Sequence, residues 1–177
     1  MDTYKNPIKG LHHNAYRCRD SEETRKFYED VLGLRLASAL EFTANKTGLA
    51  APTKALHSFF ELADHSFLAF FELPGDPDER LFQNRSDLDL HIAWEVPDSA
   101  KLGEYKQRAT DAGLEARGPV DHGFVHSLYL RDPNGYVVEL TTKMPTYEKF
   151  MEGELAKARL VLDRWQATKH EPPANPG

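Results

Sequence analysis

A chain of 177 residues with 40% hydrophobic and 28% charged residues has the makeup of one globular domain. Its formal net charge of −6, with lysines and arginines scattered among acids, offers no basic stripe and argues against a nucleic-acid partner. No apolar run approaches the roughly 20 residues of a spanning helix, and no basic segment leads into an apolar one at the start, so a cytoplasmic protein with no membrane partner is expected.

The predicted elements begin with residues 8–19, where small and apolar residues alternate with polar ones as in a strand. Cys18, the single cysteine, alternates there with Arg17 and Arg19 and reads as a packed thiol. Asp20 with Glu23 three residues on has capping-box spacing, and Phe27, Val31 and Leu32 share one face before Gly33, which predicts a helix. Residues 34–43 read as a second strand. A loop over 44–54 leads to two apolar runs, 56–62 and 66–73, split by Ala63-Asp64-His65 into a hairpin. Residues 74–88 are rich in Pro, Asp, Arg and Asn without periodicity and read as a linker.

The pattern then starts again. Residues 90–96 predict a strand, 98–112 a helix closed by Gly113, and 114–117 a short strand. Residues 127–131 and 136–142 form a hairpin across Asn134-Gly135. Met151, Leu155, Ala158, Leu162 and Trp165, spaced four and three, make an amphipathic helix over 145–169 whose stripe serves core or subunit packing; a homodimer is the expected assembly. The tail, 171–177, reads as disordered. The fold class is α+β, with paired βαβββ modules at 8–73 and 89–143 in one domain and a C-terminal helix.

The repeat isolates the chemistry. His13 stands seven residues before Asp20-Ser21, and His91 stands seven before Asp98-Ser99. Asp64-His65-Ser66-Phe67-Leu68-Ala69 lines up with Asn134-Gly135-Tyr136-Val137-Val138-Glu139, so Ala69 is the counterpart of Glu139. Two imidazoles and one carboxylate on equivalent strands point into one cleft, and Ala69 leaves the fourth corner empty. That donor set leaves positions open on an octahedral metal and suits Fe(II) binding both a substrate and dioxygen. Alternation is expected to turn His12 away from His13, and of His57, His126 and His170, which take no assigned role, His126 is the one expected to line the pocket.

The stretch His13 to Leu34, reading HNAYRCRDSEETRKFYEDVLGL, resembles the opening module of the vicinal oxygen chelate superfamily, which also contains glyoxalase and bleomycin-resistance proteins; the resemblance covers residues 8–143. VDHGFVHSLYLRDPNGYVVE, ending at Glu139, looks like the signature of extradiol ring-cleavage dioxygenases of the one-domain type. The resemblance implies one barrel-like sheet, Fe(II) held by His13, His91 and Glu139, and Tyr129 and His122 against a substrate oxygen. It implies His65 as the acid–base residue, and an imidazole does have the range to take a catechol proton. The implied partners are a small aromatic diol and O2. Rival readings are a glyoxalase-like isomerase or thiol transferase using Mn(II) or another divalent metal, and a metal-free protein that sequesters a ligand. Phe67, Trp94 and Tyr129 are expected on or beside the cleft strands, where they would suit a planar apolar substrate.

Overall fold

The computed structural model describes residues 10–44, 52–74, 79–83, 86 and 88–170. β1 (His13–Arg17) leads to α1 (Ser21–Arg25), which widens into a π-helical turn over Lys26–Val31. Asp20 caps this helix by accepting from the Glu23 backbone N–H at 2.8 Å. The reciprocal half of the capping box does not form, because the Glu23 carboxylate turns to Arg19 instead, at 2.8 Å. β2 (Arg35–Ala44), β3 (Thr53–Glu61) and β4 (Phe67–Glu72) follow, giving a sheet in the order β1-β4-β3-β2, with β1 parallel to β4.

The second half repeats the plan. β5 (His91–Glu95), α2 (Ser99–Asp111), β6 (Ala116–Asp121), β7 (Val125–Arg131) and β8 (Val137–Lys143) build a sheet in the order β5-β8-β7-β6, with β5 parallel to β8. α3 (Tyr147–Thr168) ends the described chain. A short 3-10 turn, Glu79–Phe82, lies within the predicted linker. The predicted tail, the start of the first predicted strand at 8–9, and residues 45–51 of the predicted loop lie outside the described residues. Among the described residues no helix is long and apolar enough to cross a membrane.

β6 runs past its predicted end at 117. The cis Gly118-Pro119 bond falls where the pairing with β7 shifts register between Arg117 and Val120, and the ladder resumes beyond it. Gly118 has φ 118°, and a Cβ there would stand 2.6 Å from the Ser127 carbonyl oxygen, so glycine alone fits.

Strand alternation divides each sheet into a core face and an open face. Tyr28 of the π-helical turn, Leu102 of α2, and Phe60, Leu68, Phe70, Leu128 and Val138 of the strands are fully buried together. The two sheets are hydrogen-bonded separately rather than as one continuous ladder, and side chains join them. Tyr28 Oη donates to Asp132 Oδ2 at 3.0 Å, the Arg19 N–H donates to Asn134 Oδ1 at 2.8 Å, and the Tyr16 and Tyr136 rings lie 5.1 Å apart. Asp132 also accepts from Asn134 Nδ2 and from the Asn134 and Tyr136 backbone N–H groups, so the Asp-Pro-Asn-Gly turn is a buried latch between the halves.

Candidate metal centre

On β5, His91, Ala93 and Glu95 alternate with Ile92 and Trp94; the latter pair belong to the core face, where Trp94 packs edge-on to Tyr28. Trp94 is on a cleft strand as expected, but it lies one residue off the face carrying His91, so it packs in the core and cannot meet a substrate there. The register sets Ala93 beside Glu139, Glu139 beside Tyr129, and Tyr129 beside Arg117, a single row across the open face of the second sheet.

That row carries a chain of polar contacts. Tyr129 Oη donates to Glu139 Oε1 at 3.2 Å, His122 Nε2 lies 2.9 Å from the same hydroxyl, and His91 Nε2 lies 3.6 Å from Glu139 Oε2. Because the phenol spends its one proton on the carboxylate, His122 must present an N–H to it, which fixes the role of Nε2 as donor. Glu139 is only 9% exposed. Burial, and then the Glu139 carboxylate, push the Tyr129 phenol above its ordinary value, so it stays protonated and remains a donor. The Arg117 guanidinium sits 4.4 Å from the Tyr129 ring centroid.

His13 lies on the open face of the first sheet. Its register partner is Phe67, and its ring is 5.7 Å from Phe59 and 6.2 Å from His57. His12 does not face away as alternation predicts: it precedes the first residue of β1, and its Nδ1 lies 2.8 Å from the His13 Nδ1. Among the described residues no group of three or more His, Cys, Asp or Glu is placed to hold a metal. One chain thus brings His91 and Glu139 together, and His13 does not join them.

His65 stands in the turn between β3 and β4, not on a strand with Ala69, since β4 begins at Phe67. It has φ 64°, a left-handed conformation matching that of Gly135 in the equivalent turn, and its side chain is 85% exposed and paired with Glu61 at 2.8 Å. Ala69 is fully buried beside Ala15 and Phe59. His126 lies 3.6 Å from Asp121.

Sequence reasoning passed over His57 and the aromatic wall around it. His57 stacks on Phe71 at 3.8 Å, lies 4.1 Å from Phe59, and shares the open face with His13. The repeat held the signal: Phe59 precedes Ala69 by the same ten residues that separate Tyr129 from Glu139, and each aromatic pairs across its hairpin with that residue.

Residues 10–140 match the model of the Glyoxalase/Bleomycin resistance protein/Dioxygenase superfamily. The chain belongs to that superfamily. A lactoylglutathione lyase of Neisseria meningitidis is 26% identical over 133 residues, 75% of this chain and 90% of the relative. A biphenyl-2,3-diol 1,2-dioxygenase of Rhodococcus globerulus is 44% identical over 50 residues, 28% of this chain and 26% of the relative. The fold also matches the fosfomycin resistance protein FosX of Listeria monocytogenes, solved as a point mutant complexed with Mn(II) and 1S,2S-dihydroxypropylphosphonic acid. There the TM-score is 0.52 and the identity 22%, over 80% of this chain and 98% of that one. Members of this superfamily include lyases and dioxygenases, and a member of the fold has been solved with a divalent metal.

Proposed function

We propose that this protein is an Fe(II)-dependent extradiol dioxygenase that opens a catechol-type ring with O2. The observation that carries this reading is the chain His122–Tyr129–Glu139–His91, in which two proton-bearing side chains stand directly beside a shielded carboxylate and an imidazole. The donor set fits the metal: a carboxylate and an imidazole nitrogen share one gap, and both are donors that first-row divalent cations accept.

Glu139 and His91 of one copy would hold the metal, with His13 supplied by a second copy as the third ligand. Sharing between copies is supported by His13 standing apart from the other two among the described residues. Bound Fe(II), with positions left open, supplies a meeting point for the two diol oxygens and dioxygen and a path for electron density between them. On substrate binding the Tyr129 hydroxyl would turn its one proton from Glu139 to a substrate oxygen where charge gathers, while His122 goes on donating to that hydroxyl from behind. His57 shares the face of His13 and is the better-placed imidazole to take a proton from the diol, whereas His65 faces solvent beside Glu61. Phe59, Phe67 and Phe71 present ring faces and edges to a planar apolar substrate and exclude water beside it.

A second reading is a metal-dependent lyase or transferase using Mn(II) or a similar cation. It is favoured by the extent of the likeness, since the lyase relative aligns over 75% of this chain and the dioxygenase over 28%.

The deciding experiment is oxygen uptake by anaerobically prepared, Fe(II)-loaded protein against a panel of catechols, run beside an assay for lactoylglutathione turnover. Uptake matched by a yellow ring-opened product supports the dioxygenase; lactoylglutathione turnover without uptake moves the assignment to the lyase.

A further inference from the structure

α3 meets the body of the molecule only along its first turns, where Phe150, Gly153 and Lys157 line a groove with Gly123, and residues 155–168 are exposed throughout. Phe150 stacks on Phe124 at 4.4 Å, and the Met144 N–H donates to the Phe124 carbonyl, which pins that turn to the loop between β6 and β7. No residue of the helix is buried, and Leu155 and Trp165 are 81% and 60% exposed. Met151, Leu155, Ala158, Leu162 and Trp165 repeat at four and three, the 3.5-residue period with which one helix seats against another.

Charge and attachment select the occupant. Glu152 and Arg159 flank the stripe on one side, and Glu154 and Lys157 on the other. Set two such helices antiparallel with Leu155 of one against Ala158 of the other. Glu152 of each then comes beside Arg159 of its mate, and Glu154 beside Lys157, so both flanks join acid to base. The bases are available for this, because their present pairs, Lys157 with Glu154 at 2.7 Å and Arg159 with Asp163 at 2.8 Å, are exposed bonds within one helix. Each body hangs from the N-terminal end of its helix, so parallel pairing would crowd two bodies at one end, while antiparallel pairing separates them along a helix of about 33 Å. We propose that α3 is a dimerisation helix that pairs antiparallel, about a two-fold axis, with α3 of a second copy of this chain.

The test is the solution mass of the full-length, metal-free protein by light scattering on a sizing column, which reads assembly independently of the site chemistry. Leu155→Glu with Leu162→Glu weakens association at least tenfold on dilution, and halves the mass where α3 alone holds the copies together. Glu152→Arg weakens association about tenfold, and adding Arg159→Glu restores it. Oxidation of a Glu152→Cys, Arg159→Cys variant gives a covalent dimer, because two positions seven apart on one helix are too distant to bridge within a chain. An unchanged dilution midpoint in the leucine variant, or no covalent dimer from the cysteine pair, overturns the proposal.

Discussion

Tyr129 donates its phenolic proton to Glu139 Oε1 at 3.2 Å, across the pair of strands joined by the Asn134-Gly135 turn. The contact ties the orientation of the carboxylate to a side chain that is not itself one of the proposed ligands. Tyr129→Phe keeps the ring and its packing and removes only the donor. Metal content is expected to hold while turnover of a catechol falls about 100-fold. Equal losses of metal and turnover would make the tyrosine a support for the ligand and nothing more.

Sharing of the metal between copies predicts complementation. Glu139→Gln and His13→Ala are each expected to abolish metal binding and activity, yet unfolding and refolding them together should restore one intact site in each mixed dimer. With random pairing, activity returns to about a quarter of the wild-type level. A mixture that stays inactive would mean that His13, His91 and Glu139 act within one chain or not together.

His57 and His65 make opposite predictions. His57→Ala is expected to cost about 100-fold or more in turnover as a lost acid–base group. At His65 the left-handed backbone strains a residue with a Cβ, so His65→Gly is expected to stabilise by about 1 kcal/mol. That corresponds to a rise of about 2–4 °C in Tm, with turnover unchanged. Loss of turnover in His65→Gly with His57→Ala active would return the proton to His65.

Asp132 couples the halves to pH. Its carboxyl is raised above the ordinary range, first by burial and against the pull of Asn134, Tyr136 and Tyr28. The native state then holds this proton more tightly than the unfolded chain. The contribution is fully present below the unfolded value, near 4, and is lost as pH climbs through the raised native value. Wild-type Tm is expected to fall relative to Asp132→Asn between those limits, whereas a constant difference would show no such linkage. Asp132→Ala strands the donors that face it and is expected to cost about 3 kcal/mol in a chemical denaturation series.

Local chemistry is legible in the order of the residues alone. The cap at Asp20, the hairpin at Asn134-Gly135, the repeated βαβββ order and the strand positions of His13, His91 and Glu139 follow from spacing and side-chain type, which act over a few residues. Three matters were decided only by the tertiary structure. Which imidazole keeps company with His13 depends on the register of β3 against β4, so His57 lies beside His13 and His65 turns out to Glu61. That His13 stands apart from His91 and Glu139 depends on how two separately bonded sheets are latched by Tyr28 and Asp132. The stripe on α3 is plain in the sequence, but its exposure is not, because periodicity marks which face seeks cover and only packing shows whether the chain itself provides it.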